Sequence, residues 1–220
     1  MNINQFIEHT HLKPSTTERQ IIDLCNEAKK YNFYAVCVNG CYVTLAKQLL
    51  SNTEVKIVSV IGFPLGAPST EAKVFEAKNA INNGADEIDM VINIGMLRSK
   101  NYVAVFKDLS DVKMAIGKVP LKVILEISEL SKNEIVKACE ICIDAKVDFI
   151  KTSTGFSKGG ATLTAVKIIK KIVRDNAKIK ASGGIKDLET AIKYIDAGAD
   201  RIGTSSGVAM MTEKITSDKY

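Results

Sequence analysis

The stretch Lys146-Val-Asp-Phe-Ile-Lys151-Thr is one of three copies of a pattern that recurs along the chain. The other two are Gly84-Ala-Asp-Glu-Ile-Asp89-Met and Gly198-Ala-Asp-Arg-Ile-Gly203-Thr. In these two copies a glycine stands where a helix ends in a left-handed residue, and a short apolar run typical of a strand follows. Asp89, Lys151 and Gly203 fill the same slot, so we expect them at one height near the C-terminal ends of three strands.

Short runs rich in Val and Ile alternate with amphipathic stretches along the chain, which is the order expected of parallel strands joined by helices. Eight runs predict strands, at residues 8–12, 34–39, 56–61, 87–92, 121–127, 148–152, 178–182 and 200–204. This order predicts an α/β protein with the (β/α)8 TIM-barrel fold, as a single catalytic domain over residues 1–220. An open doubly wound sheet has similar repeats, so the choice of a barrel depends on the count of eight.

Local sequence patterns predict where two helices begin and where a mobile C-terminal tail begins. Ser131 with Glu134, and Ser15 with Glu18, have the spacing of capping boxes that begin helices. The final residues 212–220 are polar, and we expect them to form a mobile tail. Tyr220 is then either without function or folded over the barrel mouth, where its hydroxyl would join a proton relay.

The composition is that of an ordinary globular protein, with 46% hydrophobic and 25% charged residues. The net charge is +5, and no block of like charges suggests a nucleic-acid arm. The start MNINQFIEHT lacks the basic and apolar regions of a secretion signal, and no apolar stretch of about 18 residues occurs. Five cysteines, an odd number, fit reduced thiols. We therefore expect a cytoplasmic protein that binds small anionic metabolites, and neither nucleic acid nor membranes.

Lys151 is the first candidate for chemistry. Side chains of a strand alternate, so Ile150 packs outward on the helices while Phe149 and Lys151 point into the barrel. Burial disfavours the ammonium and so favours the neutral amine that attacks a carbonyl. Lys180 has the equivalent place on the next strand, and two neighbouring ammonium groups each lower the other's affinity for a proton. The alternative, a paired or snorkelling lysine at the rim, is weaker for two lysines beside an acid.

Two carboxylates point into the same interior. Asp89 alternates inward with Glu87, and among lysines it is placed to shuttle protons to a carbinolamine and a substrate hydroxyl. Its alternative role is that of a plain salt-bridge partner. Glu126 also points inward on the predicted strand 121–127. For Glu126 we expect an internal ion pair, with a supporting catalytic role as the alternative.

The loops after the last two predicted strands read Ser182-Gly183-Gly184-Ile185 and Gly203-Thr204-Ser205-Ser206. Barrels commonly hold phosphate at this place, with backbone N–H groups and a helix N-terminus. Each loop alone would be read as a turn, but their coincidence with strands seven and eight favours phosphate binding. The predicted phosphate contacts are Gly155, Gly183, Gly184, Gly203, Ser205 and Ser206.

Other patterns do not support a metal or nucleotide site. The stretch from Gly155 to Thr162 has the glycine spacing of a P-loop but lacks the lysine that must follow. Cys139 and Cys142 form a CxxC on the apolar face of a helix with no second pair, which favours core packing over metal. His9 and His11 are the only histidines, so we expect neither a His-rich metal site nor a serine triad.

Taken in order, these blocks resemble the deoxyribose-phosphate aldolase family. The similarity runs through Ile7-Glu-His-Thr, Val36-Cys-Val-Asn, Val60-Ile-Gly-Phe-Pro-Leu-Gly, Glu87-Ile-Asp-Met-Val-Ile-Asn, Lys151-Thr-Ser-Thr-Gly-Phe, Lys180-Ala-Ser-Gly-Gly-Ile and Arg201-Ile-Gly-Thr-Ser-Ser. It covers nearly the whole chain, and the segment that begins at Lys151 is highly specific to the family.

The resemblance implies a class I aldolase, without metal or organic cofactor, that acts in deoxyribose phosphate catabolism. Such an enzyme cleaves 2-deoxy-D-ribose 5-phosphate reversibly to acetaldehyde and D-glyceraldehyde 3-phosphate. By the family's motifs, Lys151 forms the Schiff base, Lys180 tunes that amine and relays protons, and Asp89 is the general acid and base. Glu8 replaces the family's usual Asp and is a candidate supporting residue, and Phe156 stands where some members have a basic residue. The resemblance also implies a homodimer or a larger homo-oligomer.

Two other functions fit the same residues. A phosphate-binding barrel isomerase or synthase would use Lys151 as an electrostatic clamp. A sugar-phosphate binding protein would use Lys151 and Lys180 as anion contacts. Among the three, only a Schiff-base aldolase forms an imine, so borohydride trapping separates them.

Overall fold

The computed structural model describes residues 2–217 and shows a closed barrel of parallel strands with helices between consecutive strands. The strands are β1 (Ile7–Thr10), β2 (Ala35–Val38), β3 (Lys56–Ile61), β4 (Glu87–Val91), β5 (Leu121–Ile124), β6 (Phe149–Lys151), β7 (Lys178–Ser182) and β8 (Arg201–Thr204). Each strand pairs with the next, and β8 pairs with β1 to close the sheet. The predicted α/β fold, a (β/α)8 TIM barrel, is confirmed.

The helices cover the outside of the barrel. They are α1 (Glu18–Tyr31), α2 (Val43–Leu50), α3 (Thr70–Asn82), α4 (Ile94–Arg98), α5 (Tyr102–Ile116), α6 (Lys132–Asp144), α7 (Leu163–Val173), α8 (Leu188–Asp196) and α9 (Gly207–Ser217). Helix α9 contains the first part of the predicted tail. Residues 218–220 lie outside the described residues, so the mobile tail and the role of Tyr220 stay predictions.

The start of α6 confirms one predicted capping box, and the start of α1 corrects the other. The Ser131 side chain accepts from the Glu134 N–H, and the Glu134 carboxylate accepts from the Ser131 N–H. Helix α1 begins at Glu18, so its capping box consists of Thr17 and Gln20, and the predicted pair of Ser15 with Glu18 is wrong. A cap must immediately precede the first helical residue, and Ser15 lies two residues too early.

Strand β5 ends earlier than predicted, at Ile124. Glu126 has a positive φ of 57°, and Ile127 begins the short 3-10 helix Ile127–Glu129. A left-handed backbone at residue 126 cannot continue a parallel strand. The side chain of Glu126 is therefore aimed by a loop, with consequences for the site described below.

The apolar and charged parts of the strands face different sides. Outward-facing Ile88, Met90 and Ile150 are fully buried in the core beneath the helices. Within the barrel, a small apolar cluster contains Leu12, Ala35, Cys37, Val58 and Val60. The remaining interior is charged, with buried Glu8, Glu87, Asp89, Lys122, Lys151 and Lys180. Barrel interiors are normally filled by branched apolar residues, and buried charges are costly unless paired, so this interior indicates a functional site.

Cys139 and Cys142 pack in the core on α6, as predicted. Cys37, Cys139 and Cys142 are buried, and all five cysteines of the chain are free thiols. Within residues 2–217, no helix combines the length and the apolar composition needed to cross a membrane.

Candidate active site

Asp89, Lys151 and Lys180 meet inside the barrel. Lys151 and Lys180 are register partners on β6 and β7, as the sequence predicted. The Oδ2 atom of Asp89, on β4, accepts hydrogen bonds from Lys151 Nζ at 2.9 Å and from Lys180 Nζ at 2.7 Å. All three side chains are nearly or fully buried. One carboxylate oxygen therefore joins the two lysines that the strand pattern singled out.

Lys122 is a third buried lysine of this cluster, and the sequence analysis missed it. Its Nζ atom lies 2.5 Å from Glu87 Oε2 and 3.0 Å from Asp89 Oδ1. The signal was present, because Lys122 alternates inward on β5 and is the register partner of Asp89. The prediction of an inward Glu126 on the same strand already implied an inward residue four positions earlier.

Glu8 completes the cluster from the other side. Its Oε2 atom accepts a short hydrogen bond from Lys180 and lies 3.7 Å from Lys122 Nζ. Lys180 on β7 reaches Glu8 on β1 past the strand between them, β8, at the position of Gly203. A Cβ atom at Gly203 would lie 2.9 Å from Lys180 Cε. Gly203 thus leaves the room through which Lys180 reaches Glu8. Three carboxylates and three ammonium groups balance in this cluster, which is the condition for burying so many charges.

The charges of Asp89 and Lys180 stabilise each other. Burial alone would raise the pKa of Asp89, but Lys122, Lys151 and Lys180 outweigh it and hold that pKa well below its usual range. Burial alone would lower the pKa of Lys180, but Asp89 and Glu8 outweigh it and hold that pKa well above its usual range. The neighbouring lysines therefore do not leave Lys180 with a lowered pKa, because the two carboxylates outweigh them.

Glu126 does not form the predicted internal ion pair. Within the described residues no cationic group lies within salt-bridge distance of it, and its partners are the N–H and hydroxyl of Thr154. The left-handed backbone turns it away from the strand face, towards the loop between β6 and α7. Burial raises the pKa of this carboxyl above its usual value. Glu126 therefore holds a loop of the site rather than one of its lysines.

A cleft of about 530 Å³ opens at the C-terminal ends of the strands. Lys151 is the only member of the charged cluster among the described residues that line it. Other lining residues are Thr10, His11, Leu12, Lys13, Thr154, Gly155, Phe156, Ser182, Gly183, Gly184, Ile185, Lys186, Gly203, Thr204 and Ser205. The amine of Lys151 is thus the chemical group that the cleft presents, while its charged neighbours lie behind it.

Five of the six predicted phosphate contacts line this cleft. These are Gly155, Gly183, Gly184, Gly203 and Ser205. Ser206 follows them at the entry to α9, and its N–H donates to the Thr204 hydroxyl at 2.9 Å. Ser206 is half-buried beside Ser205 and is not among the residues that line the described cleft, so its contact with phosphate stays a prediction.

The loops around the cleft are packed tightly on one another. A Cβ atom at Gly160 would lie 2.2 Å from the Gly183 carbonyl oxygen, and the Ala161 N–H donates to that oxygen at 3.0 Å. Only glycine at residue 160 allows this approach. The loop after β6 is therefore fastened to the loop after β7.

Three side chains at the mouth were not predicted. Lys13 and Lys186 are exposed, line the cleft from different loops and supply positive charge. Phe63 contacts Phe156 edge to face, with ring centroids 5.2 Å apart. Both lysines stand in loops, where sequence alone does not distinguish a cation of the site from a solvated one.

The two histidines lie apart from the charged cluster. His9 is buried and its Nε2 atom lies 2.7 Å from Glu27 Oε2 on α1. His11 is half-buried beside the cleft, and burial together with Lys13 and His9 lowers its pKa. Neither contacts Lys151 in the hydrogen bonds of the described residues.

Comparison with known proteins agrees with this geometry. The sequence profile of the DeoC/LacD family aldolases matches residues 5–213. The chain is 48% identical to a deoxyribose-phosphate aldolase of Mycoplasma capricolum, over all of this chain and 99% of the relative. It is 52% identical to a deoxyribose-phosphate aldolase of Halalkalibacterium halodurans, over all of this chain and 99% of the relative.

Solved structures show the same likeness. A crystal structure of a putative deoxyribose-phosphate aldolase from Coccidioides immitis superposes with a TM-score of 0.95 at 44% identity, over 97% of this chain and 85% of that one. A tetrameric deoxyribose phosphate aldolase from Aeropyrum pernix superposes with a TM-score of 0.88 at 33% identity, over 96% of this chain and 89% of that one. The chain belongs to the DeoC/LacD family of aldolases.

Proposed function

We propose that the protein cleaves 2-deoxy-D-ribose 5-phosphate reversibly to acetaldehyde and D-glyceraldehyde 3-phosphate, in deoxyribose phosphate catabolism. The observation that carries the proposal is the position of Lys151, 2% exposed at the inner end of the cleft and 2.9 Å from Asp89. The loops expected to hold phosphate line the same cleft. The relatives named deoxyribose-phosphate aldolase support the same substrate.

The first step is the formation of a Schiff base. The neutral amine of Lys151 attacks the C1 aldehyde of the open-chain sugar, and a C–N bond forms as the carbonyl electron pair moves to oxygen. The carbinolamine oxygen is protonated and leaves as water, which gives an iminium ion. The positively charged nitrogen then serves as an electron sink for the next step.

The second step breaks the C2–C3 bond. A base removes the proton of the C3 hydroxyl, the oxygen electron pair forms the aldehyde of D-glyceraldehyde 3-phosphate, and the bonding pair moves into the enamine. The enamine carbon is protonated, and water hydrolyses the iminium to release acetaldehyde and the free amine of Lys151. One water leaves and one is consumed, so the reaction balances.

Asp89 and Lys180 serve these proton transfers together. Asp89 is ionised and shares one oxygen between Lys151 and Lys180. A proton that leaves Lys151 or the carbinolamine therefore has an acceptor within hydrogen-bond distance. Lys180 keeps its positive charge and holds the carboxylate in place, and Glu8 supports Lys180 from the far side. When the substrate binds, the Asp89 base is therefore already in place, and the groups around it do not have to reorganise.

The phosphate end of the substrate lies at the glycine-rich loops. Gly183 and Gly184 line the cleft and have positive φ values of 93° and 79°, a backbone conformation that glycine adopts without strain. Ser205 precedes the N-terminus of α9, whose dipole favours an anion. Lys13 and Lys186 add positive charge at the mouth. Phosphate held there keeps C1 in register with Lys151.

We further propose that the protein works in the cytoplasm as a homodimer or a larger homo-oligomer. Five free thiols suit a reducing compartment. The tetrameric relative from Aeropyrum pernix supports self-association. Sedimentation equilibrium at two protein concentrations tests the assembly directly, and a monomer at both would contradict it.

Borohydride trapping tests the mechanism. The protein is incubated with acetaldehyde, reduced with sodium borohydride and digested, and the peptides are read by mass spectrometry. We expect an ethyl group on Lys151 and cleavage of 2-deoxy-D-ribose 5-phosphate by the untreated protein. An isomerase with a lysine clamp, or a binding protein, would give neither the adduct nor acetaldehyde from the sugar.

A further inference from the structure

The Thr204 hydroxyl joins two loops of the cleft. It donates to the Ile185 carbonyl at 2.7 Å, in the loop between β7 and α8. It accepts from the Ser206 N–H at 2.9 Å, in the loop between β8 and α9. Thr204 is 5% exposed, so these bonds are shielded from water. A single buried hydroxyl therefore sets the distance between the two loops.

These two loops carry most of the expected phosphate contacts. Gly183 and Gly184 belong to the first loop, Ser205 belongs to the second, and Gly203 lies near the end of β8 just before it. An anion that contacts both loops binds tightly only if their backbone groups are already held at the right separation. The bond from Thr204 to Ile185 is the cross-link that provides this.

Thr204 lines the cleft at the end of β8 but lies outside the charged cluster. Neighbouring Gly203 lies against Lys180 inside the barrel, so Thr204 belongs to the opposite, outward face of β8. Its register partner on β1 is His9, which is also outward-facing and bonded to Glu27 on α1. The hydroxyl has one donor, which is used by Ile185. Thr204 is therefore placed to position loops and not to carry protons.

The loop after β6 has a similar arrangement. The Thr154 hydroxyl accepts from the Phe156 N–H at 3.0 Å and contacts the Glu126 carboxylate on the preceding loop. In both places a threonine bonds to the amide two residues later and to the loop before it. In both places the residue between, Gly155 or Ser205, is exposed and lines the cleft. The same device thus shapes two walls of the cleft.

We propose that Thr204 is a positioning residue that determines the preference for phosphorylated over unphosphorylated substrates. The proposal rests on the proposed function, since it concerns the phosphate end of that substrate. Removal of the hydroxyl leaves the Ile185 carbonyl and the Ser206 N–H without their partner. The two loops then lose their fixed separation, while the lysines and Asp89 keep theirs.

The test compares Thr204→Val, which removes the hydroxyl at nearly constant shape, with Thr204→Ser, which keeps it. Thr204→Ala removes the hydroxyl without an added methyl group, in case the valine variant does not fold. Thr53→Val is the matched control, because Thr53 donates a hydroxyl bond of 2.9 Å to the Leu50 carbonyl between α2 and β3, at the opposite end of the barrel.

The measurements are kcat and KM for 2-deoxy-D-ribose 5-phosphate and for 2-deoxy-D-ribose, and the dissociation constant of inorganic phosphate by calorimetry. For Thr204→Val and Thr204→Ala we expect KM for the phosphorylated sugar and the phosphate dissociation constant to rise about tenfold or more, the effect of losing one or two buried hydrogen bonds. Kinetics with the unphosphorylated sugar should stay near those of the unchanged protein. Thr204→Ser and Thr53→Val should behave like the unchanged protein on both sugars.

Equal losses on both sugars, or an unchanged phosphate dissociation constant in Thr204→Val and Thr204→Ala, would overturn the positioning role. Failure of the proposed function is a different result. The unchanged protein would then bind inorganic phosphate, with Thr204 still affecting that binding, but would release no acetaldehyde from 2-deoxy-D-ribose 5-phosphate.

Discussion

Lys122 Nζ lies 3.0 Å from Asp89 Oδ1, on the carboxylate oxygen that Lys151 and Lys180 do not use. Asp89 is thus held through both oxygens and cannot rotate without losing an ammonium partner. Lys122 is not among the described residues that line the cleft, and it forms a further ion pair with Glu87. Lys122 therefore determines how the Asp89 carboxylate is oriented towards Lys151. It does so from one layer deeper in the barrel than the reacting amine.

Replacement of the amine itself is the first test. Lys151→Met should reduce cleavage of 2-deoxy-D-ribose 5-phosphate to background and abolish the ethyl adduct, because only a primary amine forms the iminium. Lys158→Met is the control, since Lys158 is 73% exposed in the same loop. Both variants should keep their far-ultraviolet circular dichroism. An adduct on another lysine in the Lys151→Met variant would reassign the nucleophile.

Asp89→Asn should lower kcat by about 10²- to 10⁴-fold, the usual loss when a general acid or base is removed. It should also destabilise the protein by roughly 3–5 kcal/mol at pH 7, because three buried ammonium groups lose a carboxylate. Urea unfolding and steady-state kinetics measure the two effects.

The stability effect of Asp89 has a definite pH dependence. Its folded pKa lies below its unfolded value, so the unfolded state binds more protons in acid. The contribution of Asp89 is complete above the unfolded pKa of about 3.9 and is lost as pH falls below it. The stability difference between the unchanged protein and Asp89→Asn should shrink by roughly 1 kcal/mol between pH 7 and pH 3. A difference independent of pH would contradict the low pKa.

Lys122→Met should destabilise the protein by about 3–5 kcal/mol, since it leaves three buried carboxylates with two ammonium groups. Addition of Glu87→Gln should restore part of this loss, because it rebalances the charge. The urea midpoints of Lys122→Met, Glu87→Gln and the double variant, compared with that of the unchanged protein, form a double-mutant cycle. Strictly additive losses would show that Lys122 and Glu87 are not coupled.

Ser205→Glu places a carboxylate where we propose that phosphate binds. The affinity for 2-deoxy-D-ribose 5-phosphate should fall much more than the affinity for 2-deoxy-D-ribose. Only the phosphorylated sugar carries an anionic group that the new carboxylate repels. Ser51→Glu is the control and should have little effect on either sugar, because Ser51 is exposed at the end of α2, at the opposite end of the barrel. KM values for both sugars measure it. Equal losses of affinity for both sugars would place the phosphate elsewhere.

Glu8→Asp should keep more than a tenth of the activity. The shorter side chain weakens the contact with Lys180 but leaves the negative charge inside the cluster. Glu8→Gln, which removes the charge, should lose more. The two kcat values at pH 7 decide the matter, and equal activities in both variants would show that the charge of Glu8 does not support the site.

Much of the site was predictable because it depends on local patterns. Period-two alternation was enough to turn Asp89, Lys151 and Lys180 inward, and the same rule applied to strand 121–127 would have found Lys122. The rule failed at Glu126, since it assumes an extended backbone and Glu126 has a positive φ. It also could not show that the Ser206 N–H is bonded to the Thr204 hydroxyl, because that depends on how the chain turns into α9.

The sequence by itself determined the barrel, its order of strands and the residues that carry the chemistry, because strand and helix periodicities and family motifs are written in short stretches of the chain. Only the tertiary structure decided which charges meet. Lys122 and Asp89 are 33 residues apart, and Lys180 and Glu8 are 172 residues apart. Their contacts depend on how the strands are staggered when the sheet closes and on the room that Gly203 leaves between them, and both are properties of the closed barrel as a whole.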